Sequence, residues 1–194
     1  FFSLYLFNKH LDGLDFKEND TNTLLSAFYT LSDSLQNTET GKAIHLQLLK
    51  RKSLLIGNIM PDFHFTDLSS QSFALSSWRN KKYVLLCFWA SWCGPCIKAI
   101  PHLNALADEF TPRGVFFAAV SNETATTVRR FTDSTEMRAA VFVDTEKSTT
   151  HKHFGVVAIP RTFVIGSDSV VLWTGHPDRL TRELLAALLE GRKK

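Results

Sequence analysis

Trp92-Cys93-Gly94-Pro95-Cys96 sets two thiols three residues apart, between an apolar run at 84–89 and a helix-like run at 97–110. The order is strand, turn, helix, with Cys93 at the turn. A helix start offers backbone N–H groups without partners and a partial positive charge, and both favour a thiolate. In such a setting the first thiol of a Cys-x-x-Cys pair has its pKa lowered to roughly 3.5–7.5. Cys96 lies one helical turn on, so the two sulfurs share a face and can close a disulfide. Pro95 is tolerated because the first helical turn needs no N–H from it. Gly94 leaves the backbone open to an approaching partner.

The same two cysteines can be half of a zinc site or a structural disulfide. Structural zinc takes four ligands. The chain has three cysteines, and no second pair or His-x₃₋₅-His run completes a set. His151-Lys152-His153 is too closely spaced for the usual finger pair. The strand–turn–helix context favours redox chemistry, with no metal and no cofactor beyond the Cys93–Cys96 disulfide itself.

At 194 residues the chain fits one domain plus an extension. Hydrophobic residues make up 44% and phenylalanine occurs 16 times, enough to build a core. A net charge of +3 is too mild to argue for nucleic acid. Lys50-Arg51-Lys52 and Arg192-Lys193-Lys194 read as solvated helix ends, where cations suit the helix dipole. No apolar run is long enough to span a bilayer. Residues 1–7 are apolar but short and begin without Met, which fits a removed signal or a chain cut elsewhere.

Residues 1–56 read as a helical extension and residues 57–194 as the main domain. Leu24, Leu25, Phe28, Leu31 and Leu35 recur at helix spacing, with Thr21 or Thr23 as cap. Ile44, Leu46, Leu48, Leu49, Leu54 and Leu55 give a second apolar helix, and His10 and His45 read as ordinary histidines. Gly57 and Pro61 mark the boundary. Phe63-His64-Phe65 and Ser72-Phe73 alternate like a hairpin, and Trp78-Arg79-Asn80-Lys81 turns into the central strand. Beyond the motif come a strand at 114–121, a helix at 124–134 with Val128 and Phe131 inward, and a strand at 141–143. A helical turn at 151–154, a hairpin of 162–165 with 170–173 and a closing helix at 180–189 follow. The order β-α-β-α-β-β-α implies an α/β fold, a mixed sheet covered by helices.

The run Phe88-Trp89-Ala90-Ser91-Trp92-Cys93-Gly94-Pro95-Cys96 resembles the active site of the thioredoxin superfamily. With Gly57-x-x-x-Pro61-Asp62-Phe63 and its hairpin, it resembles the TlpA/ResA-like thiol–disulfide oxidoreductases. The resemblance implies a thioredoxin fold with an added N-terminal β-hairpin and helical extension. It implies a cis bond at Ile159-Pro160, facing the disulfide, where the Ile159 backbone can pair with an extended substrate. Cys93, at the exposed helix start, would attack a substrate disulfide, and Cys96 would resolve the mixed disulfide. Trp92, Gly94, Pro95, Ile159 and Pro160 would bind substrate. Partners would be protein disulfides and an upstream dithiol reductant, with no nucleic acid. The setting would be the bacterial periplasm or cell envelope, with a membrane tether outside the given chain.

Two departures stand out against the resemblance. A buried Asp common in thioredoxins is Cys87 here, and a Glu common in the ResA-like group is Ala99. Cys87 reads as a small buried hydrophobe or, alternatively, a third redox thiol. Ala99, on the helix, is expected nearer solvent than Cys87. Arg161 stands where the family often has Thr, as a contact for an acidic partner or a solvated cation. His102, Asn122, Glu123, Asp144, Trp173 and His176 read as turn or packing residues, and Trp89 as core. One alternative is a thiol peroxidase, whose required Thr and Pro positions hold Ala90 and Leu86. Another is a non-enzymatic partner- or copper-binding module on the same fold.

Overall fold

The computed structural model describes residues 18–80, 82–144, 156 and 158–191, with backbone alone at 18–20. The apolar run at 1–7, His10, Lys81, the turn at 151–154 and Arg192-Lys193-Lys194 lie outside the described residues.

Among the described residues the front segment holds three helices, α1 (Glu18–Tyr29), α2 (Asp33–Gln36) and α3 (Glu39–Ser53). The single helix expected through Leu35 breaks after Tyr29, and Thr21 lies inside α1, buried, rather than capping it. The break follows from local competition. Ser32 takes an extended backbone ahead of α2, and Gln36 Nε2 donates to the Leu31 carbonyl at 2.7 Å. Thr38 then caps α3, its hydroxyl accepting from the Gly41 N–H at 3.0 Å. A Cβ at Gly41 would run into the Leu35 and Gln36 carbonyls, so only glycine lets the two helices meet this closely. Leu25 and Phe28 of α1 bury against Ile44 and Leu48 of α3 as a small core of their own. His45 is a packing residue: its ring stacks on Phe28 at 5.0 Å, and its Nε2 shares a 2.9 Å hydrogen bond with the Tyr29 hydroxyl. Leu46 and Leu49, expected on the apolar face, are exposed, while Leu54 and Leu55 follow the helix and are buried.

Seven strands form one sheet in the order β2-β1-β5-β4-β3-β6-β7. They are β1 (His64–Asp67), β2 (Ser72–Ala74), β3 (Tyr83–Trp89), β4 (Val115–Ser121), β5 (Ala140–Val143), β6 (Arg161–Ile165) and β7 (Val171–Gly175). The β3–β4–β5 ladder is parallel, and β1, β6 and β7 join antiparallel to their neighbours. Among the described residues the connecting helices are α4 (Gly94–Phe110), α5 (Ala125–Thr132) and α6 (Arg182–Glu190). This is the thioredoxin-like mixed sheet flanked by helices, with a hairpin, β1–β2, added at one edge. Asp62 of the Pro-Asp-Phe run fixes that hairpin, its carboxylate accepting from the Ser76 N–H at 2.8 Å.

Strand β3 is apolar without alternation because both its faces are covered. Val84, Leu86 and Phe88 enter a core with Phe65, Phe142 and Phe163. Leu85 and Cys87 point the other way, into a core with Leu106, Ala107 and Phe110 of α4 and Leu185 and Leu189 of α6. Phenylalanines concentrate on the first face: Phe65 meets Phe142 edge-on at 4.5 Å and Trp78 stacks on Phe116 at 4.4 Å. The closing helix begins two residues later than expected, because Thr181 caps it by accepting from the Leu184 N–H at 3.2 Å, and Leu180 stays buried ahead of it.

Candidate active site

Strand β3 ends at Trp89, and the chain turns once before α4. The Cys93 N–H donates to the Ala90 carbonyl at 3.1 Å, closing that turn. Cys93 is the N-cap of α4, and its Sγ accepts from the Cys96 N–H at 3.2 Å. One of the orphan donors of the helix start therefore already points at the sulfur, which is the field that stabilises a thiolate. The two sulfurs are bonded at 2.05 Å, with the Cα atoms 5.2 Å apart.

Opposite them, the Ile159–Pro160 peptide bond is cis. The Ile159 carbonyl oxygen lies 3.7 Å from Cys93 Sγ. Pro160 is buried, Ile159 half-buried. Around the sulfurs Trp92 stands 71% exposed and Ile97 38% exposed, and nothing lies within 4 Å of where a Gly94 Cβ would be. Pro95 is exposed in the first helical turn. The exposure expected of Cys93 itself is absent: it is 4% exposed and Cys96 3%. The Ile159 loop covers the first sulfur, so access differs by direction. Cys93 adjoins the Trp92–Gly94 surface and the Ile159 carbonyl, whereas Cys96 lines an inner cavity.

That cavity, ≈ 20 Å³, is bounded by Cys96, Cys87, Trp89, Ile100, Leu103, Phe117, Met137 and Ala139 among others. It is large enough for one water. Trp89, one of its lining residues, has its Nε1–H buried without a hydrogen-bond partner among the described residues. Cys87 is a free, fully buried thiol. Burial pushes it from an ordinary 9.0 up to about 11, against a smaller downward pull from the Thr162 hydroxyl across the β3–β6 pair. That hydroxyl lies near the sulfur without making a formed hydrogen bond. Ala99 is 1% exposed, so the solvent access expected there is absent, as α4 presses this face onto the sheet.

The AhpC/TSA family profile matches residues 56–174. The chain belongs to the AhpC/TSA family. Within it, the likeness is to thioredoxin-superfamily proteins of the TlpA/ResA type. The thiol-disulfide oxidoreductase ResA of Bacillus thuringiensis subsp. konkukian is 32% identical over 124 residues, 63% of this chain and 70% of that protein. The thioredoxin-like protein YneN of Bacillus subtilis is 28% identical over 118 residues, 59% of this chain and 68% of that one. A solved structure from Chlorobium tepidum, titled a putative thiol:disulfide interchange protein DsbE, superposes with a TM-score of 0.63 at 29% identity. It covers 70% of this chain and 99% of its own.

In this AhpC/TSA-family chain the fold brings together Cys93, Cys96, Trp92, Gly94, Pro95, Ile159 and Pro160. The other residues singled out from sequence serve elsewhere. His102 Nε2 shares a 3.0 Å hydrogen bond with the Leu180 carbonyl, and His176 caps a 3₁₀ turn at Pro177–Arg179. Asn122 is exposed, Trp173 packs beside α6, and the Asp144 N–H donates to the Ser121 carbonyl at 2.8 Å. Arg161 Nε donates to the Thr174 hydroxyl at 3.0 Å, with its guanidinium over the Phe163 ring. Sequence reading missed one contact. The Glu123 carboxylate bonds Ser91, two residues before Cys93. Nothing in the spacing of residues 91 and 123 signals that pairing; it exists because β3 and β4 end side by side. Among the described residues no group of three or more His, Cys, Asp or Glu is placed to hold a metal.

Proposed function

We propose that this thiol–disulfide oxidoreductase works as a reductase of protein disulfides, with Cys93 as nucleophile and Cys96 as resolving thiol. The observation that carries the reading is the Cys93–Cys96 disulfide at the start of α4, beside the Ile159 carbonyl and an exposed Trp92. In the dithiol form, the Cys93 thiolate attacks one sulfur of a substrate disulfide. A mixed disulfide forms and one substrate thiolate leaves. The Cys96 thiolate then attacks the Cys93 sulfur, releasing the second substrate thiolate and closing the Cys93–Cys96 bond. An external dithiol restores the pair by the same exchange in reverse. The cysteine pair is the redox group of this cycle.

Trp92 and the open Gly94 backbone offer a flat contact, and the Ile159 edge offers main-chain pairing for an extended segment. Likeness to ResA and to the DsbE-titled protein supports protein substrates, a dedicated redox partner and an extracytoplasmic place at the bacterial envelope. No described helix is long and apolar enough to cross a membrane. Residues 1–56 form the helical extension and residues 57–194 the catalytic domain in this reading. The peroxidase alternative finds apolar side chains, Ala90 and Leu86, both fully buried, where it needs a hydroxyl and a proline. The test is a pair of variants with a protein disulfide as substrate. Cys93→Ser is expected to abolish reduction, and Cys96→Ser to accumulate mixed disulfides visible by non-reducing mass analysis. Substrate trapped on Cys96 in the Cys93→Ser protein would reverse the assignment.

A further inference from the structure

Glu123 sits in the connection between β4 and α5, and its carboxylate gathers three donors. These are the Ser91 N–H at 2.6 Å, the Ser91 hydroxyl at 2.7 Å and the Ser121 hydroxyl at 3.1 Å. The Glu123 N–H donates in turn to Ser121 Oγ at 3.2 Å. Ser121 is fully buried and forms the last pair of the β3–β4 ladder with Trp89. Ser91 is already past the end of β3, so no strand partner holds it. The Glu123 carboxylate does so instead, with charge-assisted bonds that are stronger than neutral ones.

The consequence for the sulfurs is mechanical and electrostatic. Ser91 and Trp92 lead directly into Cys93, so fixing Ser91 fixes the approach to the N-cap. A chain advances at most about 3.6 Å per residue, which keeps the carboxylate within roughly 10 Å of Cys93. That is close to the screening length at physiological salt, so its charge is still felt. A negative charge there opposes the helix-start field that favours the Cys93 thiolate. A less stable thiolate makes the dithiol the weaker form and the disulfide the harder one to reduce, which suits an electron donor. Other ionisable groups around the site are Cys96 and Lys98 on α4, Cys87 on β3, Arg161 on β6 and Asp144 after β5. None of them shares the hydrogen bonds of Ser91.

We propose that Glu123 is a positioning residue for Cys93: it pins the turn that carries the attacking thiol and weights the pair toward the disulfide. The proposal rests on reading Cys93–Cys96 as the redox pair. The experiment uses the full chain as wild type, Glu123→Gln and Glu123→Asp. Each is equilibrated with glutathione buffers and, separately, reduced and alkylated across pH, with labelling at Cys93 read by mass. Glutamine keeps the shape and an acceptor for the Ser91 N–H but removes the charge. Glu123→Gln is expected to stay folded with a slightly lowered melting temperature, while its alkylation midpoint falls by roughly 0.5 pH unit. Its glutathione equilibrium should move about threefold toward the dithiol. Glu123→Asp, which keeps the charge, is expected to restore the wild-type values. The proposal is overturned by a folded Glu123→Gln protein with wild-type profiles, or by Glu123→Asp shifting as far as Glu123→Gln. A wild-type chain that does not exchange with glutathione would instead overturn the redox reading beneath it.

Discussion

At the scale of single residues, all three cysteines are buried, and what separates them is bonding: Cys93 and Cys96 are joined and Cys87 is free. Cys87 has its thiol pushed up to about 11 by burial. Its folded pKa lies above the ordinary 9.0, so the protonated thiol is the form that folding favours. The associated stability is present below pH 9 and is lost as pH rises towards 11, when the unfolded chain ionises first. Two pH units correspond to about 3 kcal/mol. Urea unfolding of wild type and Cys87→Ala between pH 8 and 11 measures it, with the gap between them expected to narrow or reverse as pH climbs; a constant gap would refute it. Cys96 also faces inward, and neither Cys87 nor Ala99 supplies a carboxylate to take its proton. A buried thiol ionises reluctantly, so release of substrate from a trapped mixed disulfide is expected to be slow near neutrality and to accelerate in mild alkali. Single-turnover release across pH reads this, and a flat profile would show another group accepting the proton. Restoring the acid at Ala99 is no gentle change, since that position is 1% exposed. Ala99→Glu is expected to destabilise the fold by about 3 kcal/mol, seen as a lowered denaturation midpoint.

At the scale of elements, the helices are placed by their caps and the strands by their neighbours. Thr38, Thr124 and Thr181 each accept a backbone N–H at a helix start. Those caps explain why α3 and α6 begin where they do, a residue-level detail that apolar spacing does not carry. Thr181→Ala is expected to cost about 1 kcal/mol, read by thermal unfolding, while disulfide reduction stays unchanged because α6 contributes no residue to the site or to the cavity lined by Cys96. A Thr181→Ala protein of wild-type stability would show that the buried Leu185 and Leu189 alone set the helix. The strands at 114–121, 141–143 and 162–165 were legible because buried strands are apolar runs of the right length between turn residues. The single long helix expected through Leu35 was not, because Ser32 and Gln36 satisfy backbone groups in a way that competes with helix continuation.

At the scale of the whole molecule, the front segment has its own small core, but its last residues belong to the main one. Leu54 is 1% exposed and sits in the cluster with Phe65, Phe88 and Phe163. Past Gly57 the chain zips onto β7, with the Gly57 N–H on the Val171 carbonyl and the Met60 N–H on the Ser169 carbonyl, both at 2.8 Å. Removing residues 1–52 is therefore expected to leave disulfide reduction largely intact. Removing 1–56 should give a similar rate but lose about 2–5 kcal/mol with Leu54. Loss of all activity in a still-folded shorter chain would mean that the helices act on substrate. The sequence by itself determined the strand–turn–helix setting of Cys93 and Cys96, the mixed sheet and the resemblance to a redox family. All of these follow from local spacing, burial periodicity and one contiguous motif. The tertiary structure alone decided that Ala99 is sealed from solvent, that Cys87 and Cys96 share a cavity wall and that Ile159 covers the first sulfur. It also joined Glu123 to Ser91. Such facts depend on which chain ends lie side by side once the sheet is assembled, and contacts between residues so distant in sequence leave no period in it.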